Sequence, residues 1–320
     1  MEIINNPSRV EIKKAAQALM DGHLVAFPTE TVYGLGADAT NEKAVSRVYS
    51  VKARPTDHPL IVHISSINQL DKWAVDIPEY ALKLAEKFWP GPMTLILKRS
   101  GLAKNFITGN QVTVGLRIPS HPISLALLEQ FQIIGGAGIA APSANKFGRV
   151  SPTVASDVIF EIGEDLGNSD LILDGGQCTV GLESTIIDCT DEKFRILRPG
   201  AITLEMLLET LSHQKFISNT VTHIRVSGSH GHHYAPKAKI LLDQIPTAGQ
   251  GYIALSTFKS PPDVIRLSSP SSLQDFARNL YSSLRKADEL GLQFIVVQQP
   301  TGDGIAVAIR DRLKKAANRI

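Results

Sequence analysis

Hydroxyl, glycine and cationic side chains concentrate in a few short strings of this chain, and their types suit recognition of an anionic ligand. The densest string is Pro28-Thr29-Glu30-Thr31-Val32-Tyr33-Gly34-Leu35-Gly36. Its three hydroxyls and two glycines make poor core, but suit a loop whose backbone and side chains touch a ligand. An ordinary turn is the plainer reading. Gly34-Leu35-Gly36-Ala37-Asp38-Ala39 also fits the loose dinucleotide pattern GxGxx[GA], with Asp57 about 20 residues on as the ribose acid. That fingerprint should start directly after a strand, and PTETVY intervenes. Lys52-Ala53-Arg54-Pro55 closes a helical pattern. Cations at a helix C-terminus are common dipole partners. Beside a hydroxyl-rich loop they offer a phosphate clamp, with Arg54 as the forked donor.

Arg117 shares a strand face with Thr113, and an inward arginine in an apolar strand needs a partner. That partner is either an internal carboxylate or the carboxylate or phosphate of a ligand. Ala141-Pro142-Ser143-Ala144-Asn145 ends an apolar strand ahead of Arg149 and Ser151-Pro152-Thr153, where small hydroxyls form turns or meet a ligand. No GxSxG or GxxxxGK[ST] string occurs, which excludes a nucleophile elbow and a Walker P-loop. His230, His232 and His233 read either as a metal-binding tract or as a loop reaching a ligand through His233 and Tyr234. Cys178 and Cys189 read as plain small residues.

These strings need elements to hold them. Apolar spacing predicts helices over 9–22, 41–54 (capped by Asn41, stopped by Pro55), 78–89, 122–131 and 153–162. Strands are expected at 23–27, 60–64, 94–97, 112–118, 171–174, 184–189 and 194–198. Without strict alternation, this is a mixed α/β (α+β) domain over residues 1–200. Residues 201–237 read as a linker with a short helix at 203–212. Residues 238–320 read as a small Rossmann-like α/β domain with strands at 238–242, 252–256, 264–267 and 294–298. Its helices are expected at 272–290, with Ser271 and Gln274 spaced as a capping box, and at 304–318.

Composition narrows the classes. The 320 residues suggest about two domains. A net charge of +2 excludes a polybasic binder and still allows a local basic pocket. Two cysteines exclude a disulfide framework and a CxxC zinc site, and fit a reducing cytoplasm. The longest strongly apolar uncharged run, Ile133 to Ala144, is too short for a membrane span, and the first residues lack a signal-peptide pattern.

In order, AFPTETVYGLGADA, KARP with PLIVHIS, VGLRIP, APSAN, SPT, GLESTI and LRPG resemble the YrdC/Sua5 family, and HYAP at His233 to Pro236 resembles its members with a second domain. The resemblance implies a YrdC-like mixed-sheet domain followed by a Sua5 C-terminal domain. It implies synthesis of L-threonylcarbamoyl-AMP and pyrophosphate from L-threonine, bicarbonate or CO2, and ATP with Mg²⁺. The product would pass to a tRNA threonylcarbamoyltransferase that modifies adenosine 37 of ANN-decoding tRNAs. Matched residue by residue, the pattern puts Thr31, His63, Arg117, Ser143 and Ser184 around L-threonine. It puts Lys52, Arg54, His58, Thr113, Ala141, Asn145, Ser151, Arg198 and Tyr234 around ATP. Lys52 and Arg54 would meet the phosphates and Arg117 the threonine carboxylate, these three being the expected catalytic set. Tyr33 would shape the pocket, and the linker near Tyr234 would close over the nucleotide, anchored by the small domain. Lys52, at a helix end, should be removable at little structural cost. His58 stands where relatives often carry asparagine. SGSHGHHYAP replaces their proline-glycine and basic residue, so closure over the ligand is expected to depend on pH through His232. A non-catalytic RNA-binding module of the same fold is the rival reading, and a dinucleotide-dependent oxidoreductase a third.

Overall fold

The computed structural model describes residues 1–212, 216–217, 223–228 and 233–318. The large sheet is built from β1 (Glu2–Asn5), β2 (Val25–Phe27), β3 (Gly34–Asp38), β4 (Ile61–His63), β5 (Ala74–Val75), β6 (Met93–Arg99), β7 (Thr113–Arg117), β8 (Ile139–Ala140), β9 (Leu171–Asp174), β10 (Thr185–Asp188) and β11 (Arg195–Arg198). Their order is β1-β9-β2-β3-β8-β4-β7-β6-β10-β11, with β5 paired to β6. Parallel pairs (β1 with β9, β2 with β9, β4 with β7, β6 with β10) and antiparallel ones occur in the same sheet, so it is mixed, as the family resemblance implies.

Helices α1 (Arg9–Met20), α2 (Glu42–Lys52), α3 (Leu70–Trp73), α4 (Glu79–Phe88), α5 (Asn105–Thr108), α6 (Pro122–Ile133) and α7 (Ala155–Ile162) accompany it. Ser8 and Glu11 form a capping box at α1. Asn41 caps α2 as expected, its side chain accepting from the Ala44 N–H. The apolar stripe of α4 buries Ala81, Leu84, Ala85 and Phe88. Helix α8 (Leu204–Thr210) opens the segment read as a linker, and Ile202, Leu207 and Leu211 join the core of the large domain.

The small domain holds β12 (Lys239–Leu242), β13 (Gly251–Ile253), β14 (Ile265–Ser268) and β15 (Phe294–Val297) in a parallel sheet of order β12-β15-β13-β14. It also holds α9 (Leu273–Glu289) and α10 (Ile305–Ala317). Helix α9 is capped by Ser272 accepting from the Asp275 N–H, one residue later than the expected box. The two domains share apolar packing, since Val32, Val150 and Leu182 of the large one cluster with Phe276, Ala277, Tyr281 and Leu313 of the small one.

The Pro28–Gly36 string is not wholly a loop. Only residues 28–33 turn; Gly34–Asp38 is strand β3, antiparallel to β2 and fully buried. Gly36 packs tightly: an added Cβ would stand 2.8 Å from Ile139 Cγ2 and 2.8 Å from the Phe27 ring, forcing them to shift. This also removes the dinucleotide reading. The glycines serve close strand packing, whereas the fingerprint needs them in a turn at a helix N-terminus. Strand β1, which the sequence reading passed over, pairs in parallel with β9 at the sheet edge. No helix among the described residues is long and apolar enough to cross a membrane.

Candidate functional site

A cleft lies where the β2–β3 turn, the ends of β4, β7 and β8, the start of β10, the end of β11 and residues 227–228 and 233–234 converge. Its walls include Thr31, Tyr33, Arg54, His63, Arg117, Ala141, Ser143, Glu183, Ser184, Arg198, Ser227, His233 and Tyr234. The cleft is narrow, with a cavity volume of about 50 Å³. Three guanidiniums (Arg54, Arg117, Arg198) face it against one carboxylate, Glu183. That charge balance favours an anionic ligand.

Strand register builds the centre. β4 and β7 run parallel with His63 opposite Arg117, so both side chains emerge at the same end. In the turn, the Thr29 hydroxyl donates to the Val32 carbonyl at 2.7 Å and accepts from the Thr31 and Val32 N–H groups. Thr31 Oγ1 is thereby fixed 2.9 Å from Arg117 Nη2. Arg117 Nη2 also donates to Glu30 Oε1 at 2.7 Å, both side chains being 6% exposed. The two readings of Arg117 therefore meet in one residue, which has an internal carboxylate partner and also borders the cleft. Its Nε is buried without a partner among the described residues. Burial, then the charge of Arg117, lowers the pKa of His63 to about 3, so its ring is neutral at pH 7. His63 Nδ1 is a buried atom with no partner among the described residues. A neutral imidazole and an arginine fork together suit a small ligand that carries hydroxyl or amine hydrogens and a carboxylate.

Arg198 braces the next wall, its Nε donating to the Ser184 carbonyl (3.0 Å), Nη2 to Ser184 Oγ (3.1 Å) and Nη1 to the Ser227 carbonyl (2.9 Å). Arg54 donates through Nη2 to the Pro59 carbonyl and Ser227 Oγ and lies over the Phe147 ring, 5.7 Å from its centre. Rings continue from there. His58 meets Phe147 edge-on at 5.0 Å, Phe147 meets His233 at 5.8 Å, and His233 meets Tyr234 at 4.2 Å. Burial brings His233 to a pKa of about 3.

Of the residues picked from the sequence, Thr31, Arg54, His63, Arg117, Ala141, Ser143, Ser184, Arg198 and Tyr234 line this one cleft, and so does Tyr33. Lys52, His58, Thr113, Asn145 and Ser151 are not among its lining residues. Lys52 is 2% exposed, and its ammonium donates to the carbonyls of Ser143 (2.6 Å) and Asn145. It ties the Ala141–Asn145 loop to α2, which overturns the expectation that its removal is structurally cheap. Burial holds its pKa well below the usual lysine value. Asn145 Nδ2 donates to the Lys146 and Arg149 carbonyls, and Ser151 Oγ to Glu183 Oε1 at 2.6 Å. Thr113 is buried in β7, four residues before Arg117.

Glu30 and Glu183 escaped the sequence reading, although both sit inside quoted strings, PTETVY and GLESTI. A glutamate among hydroxyls and glycines looks solvated until its arginine is known. Cys178 and Cys189 are buried, and burial raises the Cys178 thiol to about 12, as befits packing residues. Of the histidine tract, His233 is placed, while His230 and His232, with the metal and pH-dependent closure readings built on them, lie outside the described residues. Among the described residues no group of His, Cys, Asp and Glu has the arrangement of a metal site.

The pairing of this cleft with a docked parallel domain has counterparts in known proteins. Residues 17–200 match the model of the Sua5, YciO and YrdC proteins, described as "Telomere recombination", and residues 202–318 match that of the threonylcarbamoyl-AMP synthase C-terminal domain. The threonylcarbamoyl-AMP synthase of Pyrococcus abyssi is 38% identical, spanning 98% of this chain and 97% of its own length. That of Bacillus subtilis is 37% identical, spanning 96% and 93%. The crystal structure of P. abyssi Sua5 complexed with L-threonine superposes with a TM-score of 0.88 at 35% identity, over 99% of this chain and 98% of that one. Escherichia coli YciO, 24% identical with a TM-score of 0.53, covers 62% of the chain and shares only the fold. With both halves matched and near full-length relatives in two organisms, the chain belongs to the Sua5/YrdC family, in its form with the Sua5 C-terminal domain.

Proposed function

We propose that this chain is a nucleotidyltransferase that makes L-threonylcarbamoyl-AMP and pyrophosphate from L-threonine, bicarbonate or CO2, and ATP. One observation carries the reading: Thr31, His63, Arg117, Ser143 and Ser184, the residues matched to threonine, border the same cleft as Arg54 and Arg198, two cations matched to the nucleotide. Threonine's amine adds to CO2 and loses a proton, giving a carbamate. A carbamate oxygen attacks the α-phosphorus, and the bond to the β-phosphate oxygen breaks as pyrophosphate leaves. The carbamate is labile and weakly nucleophilic, so the protein's work is alignment in a dry site. Arg117 would hold the threonine carboxylate, and Arg54 and Arg198 would offset phosphate charge.

The nucleotide would enter as its Mg²⁺ complex. Glu30 and Glu183 are committed to Arg117 and Arg312, so phosphate oxygens and water would supply the ion's ligands. The narrow cleft would have to widen for ATP, and the wall carrying Ser227 and Tyr234 belongs to the linker. A role for Lys52 at the phosphates would require its ammonium to leave the Ser143 and Asn145 carbonyls. The product, a mixed anhydride, would serve a tRNA threonylcarbamoyltransferase in the cytoplasm that modifies adenosine 37 of ANN-decoding tRNAs.

The test is pyrophosphate release from Mg²⁺ and ATP, with and without L-threonine and bicarbonate. Release that needs both supports the proposal. Release without threonine points to another acceptor, and no release with salt-dependent RNA binding points to the RNA-binding reading.

A further inference from the structure

We propose that Arg312 and Tyr281, on two helices of the small domain, are positioning residues that hold Glu183 and Tyr234 in place on the cleft wall. The inference rests on the reading of Tyr234 as part of the nucleotide side.

Arg312 on α10 is wholly buried, and its Nε donates to Glu183 Oε2 at 2.8 Å. Tyr281 on α9 donates its hydroxyl to the same oxygen at 2.8 Å. Ser151 donates to the other oxygen, so one carboxylate on the cleft wall gathers three donors, two of them from the second domain. Burial alone would raise the pKa of Glu183, but Arg312 and Arg198 bring it to about 2, so it remains an anion. Its segment packs closely against α9. Gly181 has φ +76°, and a Cβ there would stand 2.5 Å from the Arg278 Cα of α9.

The same two residues bracket Tyr234. The Arg312 guanidinium lies over its ring at 5.2 Å from the centre, and Tyr281 stacks on it at 5.8 Å with planes 23° apart. Tyr234 itself has φ +65°, in the left-handed region that a tyrosine occupies only where its surroundings impose it. Among the described residues, Ala235 N–H donates to the Gly148 carbonyl and His233 N–H to the Lys315 carbonyl of α10 at 3.5 Å. Beside the His233 ring, α9 and α10 supply the packing on the Tyr234 ring. The Tyr234 hydroxyl is buried without a partner among the described residues, next to Gly228, where a Cβ would stand 2.2 Å from it. The small domain on this view needs no ligand of its own. It holds one wall of the cleft.

Calorimetric titration of the full chain with Mg²⁺ and ATP, and separately with L-threonine, tests this in Tyr281→Phe, Arg312→Lys and Tyr234→Ala. Tyr281→Phe keeps the ring and removes one donor, so it reports even if Arg312→Lys fails to fold. Loss of one charge-assisted hydrogen bond or cation–π contact should weaken ATP binding about fivefold or more in Tyr281→Phe and Arg312→Lys, with threonine affinity unchanged within about twofold. Unchanged ATP affinity in both, while Tyr234→Ala weakens it, overturns the positioning role alone. Equal weakening of ATP and threonine means general loosening and also overturns it. If Tyr234→Ala binds ATP as the wild type does, the nucleotide-side reading of Tyr234 fails and this inference falls with it.

Discussion

Arg117 pairs with Glu30 and also borders the cleft, and the two contributions can be separated by experiment. It is paired with Glu30 at 2.7 Å, both side chains 6% exposed. Arg117→Ala alone leaves Glu30 buried, with the Ser120 N–H at 3.0 Å as its remaining donor among the described residues. Orphaning a buried charge costs about 3–5 kcal/mol. At about 1.5 °C per kcal/mol for a chain of 320 residues, Tm should fall by about 4–8 °C. Loss of activity in that variant would therefore say little about substrate. Glu30→Gln with Arg117→Ala removes both charges and should recover most of the stability. Against Glu30→Gln alone, the double variant loses only the guanidinium facing the cleft. A threonine carboxylate paired there in a dry site is worth about 2–4 kcal/mol, so kcat/KM for threonine should drop about 30- to 1,000-fold. The assay is pyrophosphate release at saturating ATP and bicarbonate with varied threonine, beside a thermal melt of each variant. If the double variant stays within about threefold of Glu30→Gln, Arg117 is a structural cation and its carboxylate-binding role is refuted.

Lys52→Ala should lower stability by about 2–4 kcal/mol, because two buried carbonyls lose their donor; a melting curve superposable on wild type would contradict this. His63 and His233 both have folded pKa values of about 3 against an ordinary 6.5, so the unfolded chain binds more protons across that window. Their contribution is complete above pH 6.5 and is lost as pH falls toward 3, at up to about 1.4 kcal/mol per pH unit each. Replacing either with glutamine should flatten Tm against pH between 4 and 6.5, and an unchanged slope would count against buried neutral rings. Gly36→Ala should cost about 1–3 kcal/mol by overpacking β3 against Phe27 and Ile139, seen as a lowered denaturation midpoint.

Much of the fold was legible locally. Helix α2 carries its own cap and stop in Asn41 and Pro55, and α4 its own apolar stripe, so their ends fall within a residue or two of expectation. The failures share a cause. Gly34–Asp38 looks like a loop because its glycines have little propensity for a strand, yet β2 and β8 flank it and crowd Gly36, where a Cβ would stand 2.8 Å from Phe27 and Ile139. Lys52 looks like a helix-end cation because its spacing from Ser143 is 91 residues, and only the tertiary contact reveals that it is buried against that loop.

The sequence by itself determined which residue types could do chemistry here, in ordered strings long enough to mark the family and most of the cleft. Tertiary structure alone decided how they act together. The parallel register of β4 and β7 sets His63 beside Arg117. The docking of α9 and α10 makes Glu183 an anion held by a second domain, 98 and 129 residues distant along the chain. Burial turns His63 neutral and binds Lys52 to carbonyls. These are long-range effects of packing and desolvation, which depend on what surrounds a side chain once the chain has folded, and no local spacing encodes them.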